Sequence, residues 1–282
     1  MSIDYKKMIA NLTVMTLVMT TLSDAWAIQS TVKAPSKSNT GGDLALFYAR
    51  STADSKNAYF NESYGAALAL DWAPTKYTAF RVGGSLTREI GVLEEKFRTS
   101  NTDVTLSFLS YKPVDELSVN TSVTATLPTN EDDRRYLTYR GSVGGSLSLV
   151  KTFSTSSIFN RLLLVGSLNV TRSFFEFDAN REGGLNRFWG ATAGLSAGYS
   201  ILEYLSIGAG VANTRGWNSD GGRGLDRYRL NYNLTYKSEP DFSFRLEYVT
   251  SDRTFNYDYN SNNIALYDAE ISSVVGTLKY EI

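Results

Sequence analysis

The sequence predicts an antiparallel β-barrel that crosses a membrane, and three observations point to it. Apolar and polar residues alternate with a period of two through most of the chain, no long apolar helix follows the first two dozen residues, and aromatic residues gather at both ends of the apolar strips. The stretch from Arg227 to Lys237 is the clearest instance. Tyr228, Leu230, Tyr232, Leu234 and Tyr236 fall on one face, and Arg227, Arg229, Asn231, Asn233, Thr235 and Lys237 on the other. A strand with these two faces sets the aromatic one against lipid and the other against water or polar side chains.

The first element is an export signal. Lys6 and Lys7 supply a positive start, Met8 to Leu22 an apolar stretch, and Ala25-Trp26-Ala27 a small-x-small cleavage signature, so processing is expected after Ala27. The stretch is shorter than the roughly 20 residues of a spanning helix and Asp24 follows it, which argues against an uncleaved anchor. The expected organisation is a signal peptide over 1–27, a polar lead over 28–42 and a transmembrane β-barrel over 43–282.

The strands then read off by their outward residues. Leu44, Leu46 and Tyr48 mark the first; Tyr64, Ala66, Leu68, Leu70 and Trp72 the second; Phe80, Val82, Gly84 and Leu86 the third; Val104, Leu106 and Phe108 the fourth. Leu117, Val119, Val123, Ala125 and Leu127 mark the fifth, and Leu137, Tyr139, Val143, Leu147 and Leu149 the sixth. Leu162, Leu164, Leu168 and Val170 follow, then Trp189, Ala191, Ala193, Leu195 and Tyr199, then Leu205, Ile207, Ala209 and Val211. After the strand described above come Phe242, Phe244, Leu246 and Tyr248, and finally Val274, Gly276, Leu278, Tyr280 and Ile282.

Connections alternate between short, as at Pro74 to Lys76 and Ser200 to Tyr204, and long, as at Asn213 to Asp226 with its Gly221-Gly222 pair. Both termini fall on the short-turn side, which requires an even strand number. The count is twelve, with ten or fourteen left open by strand one and by Ile264 to Ile271. Tyr64, Tyr139, Trp189 and Tyr228 form one aromatic girdle and Trp72, Tyr199, Tyr236 and Tyr280 the other. A soluble β-sandwich also alternates, but it has no reason to pair aromatics at both ends of a buried face.

Composition excludes several chemistries. Cysteine and histidine are both absent, which removes disulfides, thiolate sites and histidine bases, and a net charge of -1 gives no general affinity for nucleic acid. The weakly negative mean hydropathy is compatible with a membrane location, because lumen-facing residues dilute the average.

Taken together, these strands resemble a bacterial outer-membrane β-barrel of the small, single-chain porin-like type, over essentially all of Gly42 to Ile282. The closing Leu278-Lys279-Tyr280-Glu281-Ile282 is similar to the C-terminal strand that barrel-assembly machinery recognises in this class, although it ends in isoleucine where phenylalanine is common. The resemblance implies a monomer in the outer membrane with both termini periplasmic, contacting lipid and small solutes and carrying no cofactor. Enzymes of similar barrel type depend on a histidine base, so no enzymatic activity is expected here.

Inward positions are mostly small or polar, with Ser63, Gly65, Ala67 and Ala69 on one strand and Gly190, Thr192, Gly194, Ser196 and Gly198 on another. Twelve strands with such a wall leave space for water or for a plug, supplied by the lead or by an outer loop. The charged inward residues are Arg81, Arg140, Arg227, Arg229, Lys237, Arg245 and Lys279 against Asp71, Glu247 and Glu281. They read as an anion-favouring potential or as an internal ion-pair ladder, and the two are compatible. In the loops, Trp217, Phe255, Tyr257 and Tyr259 offer aromatic faces to a partner, and Glu131-Asp132-Asp133 reads as a solvated tip. The expectation is a channel for passive diffusion of small hydrophilic solutes, leaning to anions. The alternative is a closed barrel acting as a structural, adhesion or loop-binding platform.

Overall fold

The structure is a computed structural model. It describes residues 40–53, 60–91, 95–108, 110–153, 161–181, 183–222, 226–239, 241–254, 263–266, 268 and 271–282. The expected signal peptide, most of the lead, and Phe255, Tyr257 and Tyr259 lie outside them.

Fourteen strand segments follow one another: β1 (Thr40–Ser51), β2 (Asn61–Thr75), β3 (Thr78–Gly91), β4 (Glu95–Thr99), β5 (Thr102–Phe108), β6 (Tyr111–Val114) and β7 (Leu117–Leu127). After the short helix α1 (Glu131–Tyr136) come β8 (Tyr139–Thr152), β9 (Leu162–Phe175), β10 (Trp189–Leu202), β11 (Leu205–Trp217), β12 (Arg227–Glu239), β13 (Phe242–Arg253) and β14 (Ser272–Glu281). β4 and β5 both pair with β3, and β5 and β6 both pair with β7, so these three segments are one interrupted strand. The result is a closed antiparallel barrel of twelve strands.

Closure joins β14 to β1, with Asp43 opposite Glu281 and Ser51 opposite Ser273. Beyond the last rung, the Ile282 N–H donates to the Gly42 carbonyl at 2.9 Å and the Gly42 N–H to the Ile282 carbonyl at 3.2 Å. Each full-length strand is thus paired on both sides, and among the described residues only the short β4 and β6 are paired on one side alone. The ambiguous stretch after Ile264 contributes no strand among the described residues.

Because side chains alternate along every strand, one register fixes both faces of the whole cylinder. Leu46, Leu70 and Leu195 point outward with 52%, 56% and 60% of their surface exposed, and every neighbouring strand adds to the same belt. An apolar surface this continuous needs lipid against it. At the short-turn rim, Trp72 stacks on Phe80 and Tyr204 meets Tyr236 edge-on. At the long-loop rim, the Tyr64 hydroxyl accepts from Arg88, whose guanidinium also lies 5.3 Å from the centre of the Phe97 ring.

Two girdle residues depart from expectation. Tyr228 keeps its outward position beside Asn213 and Asp252, but segment 263–266 covers it: the Ala265 N–H donates to the Tyr228 hydroxyl at 3.0 Å. Tyr139 turns inward. A β-bulge between Tyr139 and Gly141 shifts the register by one residue, and Tyr139 then lies against Phe175, with ring centres 5.6 Å apart. Gly141 makes the bulge possible through its φ of 130°, and Leu137, expected on the strand, instead caps α1.

Candidate functional site: the inner wall

The charged side chains of the inner wall form three levels, each built from residues that face one another across adjacent strands. Nearest the short turns, Arg81 of β3 lies opposite Asp71 of β2 and reaches one strand further to Asp43 of β1, at 3.0 and 2.5 Å. Lys279 of β14 approaches the same Asp43 at 3.4 Å and Glu281 at 3.6 Å. Two cations meet three acids at this level.

Halfway along, Glu247 of β13 is nearly fully buried. It accepts from the Asn231 side chain at 3.1 Å and sits 3.5 Å from both Arg229 and Arg245. One carboxylate serves two guanidinium groups here, so this level is net positive.

At the long-loop end, Arg227 lies opposite Thr214 of β11 and Arg253 of β13. It is 6% exposed, and its Nε and Nη1 have no hydrogen-bond partner among the described residues. The charges acting on it are Arg187 and Arg253, of like sign, and Asp252. Arg187 arrives from the connection before β10 and lies flat over Gly216, where any Cβ would collide with its side chain. Burial weakens the hold of Arg187 on its proton relative to a free guanidinium.

The wall from β7 to β11 carries no charged inner residue along its strands. Its inner positions are mostly serine, threonine, glycine and alanine, with Asn120, Asn169, Val150 and Val165 among them, and cross-strand hydroxyl pairs such as Ser122–Ser146 at 2.6 Å and Thr192–Thr214 at 2.9 Å tie them together. At its border Asp103 of β5 accepts from the Thr126 hydroxyl at 2.6 Å. One side of the cylinder is thus bulky and charged, the other lower and mostly uncharged.

Arg81, Asp71, Arg227, Arg229, Arg245, Glu247 and Lys279 all stand on this wall, as the alternation places them. Two expected lining residues do not. Lys237 is exposed at the short-turn rim, and Arg140, the extra residue of the Gly141 bulge, is half exposed and pairs with Glu176. Asp43, Glu89 and Arg98 were not anticipated. Asp43 and Glu89 have the inward parity of their strands, whereas Arg98 belongs to the short β4, which leaves little periodic signal.

The acidic run of the β7–β8 connection is not a solvated tip. Asn130 caps α1 by accepting from the Asp132 and Asp133 N–H groups. Asp132 then pairs with Lys96 at 2.6 Å and Arg98 at 3.1 Å, and Asp133 accepts from the Asn101 side chain at 2.7 Å. Lys96 and Arg98 face the same side as Glu89 and Thr87, so the helix is fastened to the inner wall at the mouth. Burial raises the Asp133 carboxyl above the usual aspartate range, an effect the Asn101 hydrogen bond partly offsets.

Trp217 stands directly opposite Trp189, and with Asn218, Ser219 and Gly221 the two rings border a shallow recess of about 370 Å³. Among the described residues, no three acidic side chains converge to hold a metal ion.

No protein-family model and no curated protein matches the sequence. Solved structures do match in fold. The COG4313 outer membrane channel from Pseudomonas putida F1 superposes with a TM-score of 0.59 at 13% identity, covering 89% of this chain and 100% of that one. The NanC porin gives 0.53 at 12% identity over 84% and 97% of the two chains. The KdgM porin in complex with disordered oligogalacturonate gives 0.50 at 9% over 84% and 98%. The chain has the fold of bacterial outer-membrane barrels.

Proposed function

We propose that this protein is a monomeric outer-membrane channel through which small hydrophilic solutes diffuse passively, with anions favoured, and that it has no enzymatic activity. The supporting observation is the facing of two unlike walls, one of mostly small, uncharged residues and one where cations outnumber acids at the middle and long-loop levels among the described residues. Small side chains leave the bore room for water, and cations lining a passage with low-dielectric walls raise the local concentration of anions. The three structures compared above carry the words channel or porin in their descriptions, which agrees with this reading at the level of fold. In the membrane, the short turns and both chain termini would face the periplasm.

Planar-bilayer recording of the purified protein tests the proposal. A stable conductance is expected, with a reversal potential that reports anion preference in a salt gradient. The double substitution Arg227→Glu and Arg229→Glu is expected to lower the anion-to-cation permeability ratio roughly twofold or more. Absence of current across independent preparations would overturn the channel reading.

A further inference from the structure

Arg227 has the surroundings of a ligand-binding group. A guanidinium keeps its proton at any ordinary pH, so burial cannot be relieved by neutralisation as it can for a lysine. A buried charge is normally matched by a partner. Among the described residues no ion pair joins Arg227 to either nearby acid, although the Asp252 charge acts on it through space. Asp226 pairs with Arg215 at 3.0 Å, and Asp252 accepts from the Asn263 side chain at 2.9 Å from the other face of the sheet. The groups nearest to Arg227 on its own face are Arg253, directly opposite, and Arg187, laid over Gly216.

We propose that Arg227, Arg187 and Arg253 form a recognition site for a doubly charged tetrahedral oxyanion, such as a phosphate or phosphate-ester solute, at the long-loop end of the bore. The proposal rests on the channel reading for its biological sense, since it names the solute class that the passage would admit. Its chemistry stands on the site alone. Like charges held together become favourable when an anion sits between them, and the Nε and Nη1 of Arg227 have no hydrogen-bond partner among the described residues. Gly216 provides the bed on which Arg187 reaches this position, because any larger residue would displace it.

The test is calorimetric titration of inorganic phosphate into the detergent-purified full chain at constant ionic strength. Saturable binding is expected, weakened about tenfold or more by Arg227→Gln and by Arg187→Gln. Arg161→Gln, at the opposite end of the barrel, should leave it unchanged. Arg187 lies in a connection, so its variant keeps the test decisive should Arg227→Gln not fold. No binding by the native chain, or equal weakening by Arg161→Gln, would overturn the site. Because binding is read without current, a barrel that conducts but does not bind phosphate sinks this site and leaves the channel. One that binds phosphate but never conducts does the reverse.

Discussion

Gly141 decides which way Tyr139 points. Its φ of 130° lies where side-chain-bearing residues are strained, and a Cβ there would come within 2.9 Å of the Thr126 carbonyl oxygen. Gly141→Ala is therefore expected to destabilise the folded barrel by about 1–3 kcal/mol, measured by urea unfolding of detergent-refolded protein. An unchanged midpoint would mean that the bulge relaxes without cost. This residue also marks the limit of alternation as a guide. Arg81, Glu247 and Lys279 were legible because nothing interrupts the period around them. One extra residue before Gly141 was enough to send Tyr139 inward and Arg140 out to Glu176. Arg187 gave no periodic signal at all, since its place depends on a connection folding over Gly216.

At the scale of elements, α1 and its anchorage respond to pH in a direction that can be worked out. The carboxyl of Asp133 is raised above its ordinary value by burial against the wall, so the docked helix binds a proton more readily than the undocked one. The contribution of Asp133 to docking is then greatest at low pH and is lost as pH rises through the window between the ordinary aspartate value, about 3.9, and the raised one. If α1 narrows the mouth, conductance should fall on acidification through that window. Asp133→Asn should remove this dependence, and bilayer recordings of the two proteins at stepped pH would show whether it does. The helix was hidden in the sequence for a physical reason. Asp132 and Asp133 look like part of a hydrated run because their partners, Lys96, Arg98 and Asn101, are about thirty residues away, whereas Glu131 does stay exposed beside Arg135. The same distance explains why β4 escaped notice, for Lys96 and Arg98 find their partners only once α1 and Glu89 of β3 lie beside them.

For the whole molecule, the decisive prediction is sidedness. Leu195, near the middle of β10 and outward-facing, should tolerate arginine badly, losing about 2–4 kcal/mol if lipid covers it. Ser196→Arg, one residue along and facing the bore, should change stability little and reduce conductance instead. Refolding titrations into lipid vesicles compare the two, and equal stability losses would count against a lipid belt. Strand number and order were legible because they depend only on a repeated period of two and on the turns that separate the strands. The three-level charge pattern was only half legible, since which cation meets which acid is set by register between strands far apart in the chain.

The seam between β1 and β14 has a consequence for biogenesis. The two strands that must find each other are the first and last of the barrel, so every other rung can form while the cylinder still gapes along this line. Until Ile282 reaches Gly42, the growing sheet carries two raw flanks able to recruit any extended peptide. Zipping this seam shut is therefore expected to be the step that withdraws both flanks from other extended chains at once.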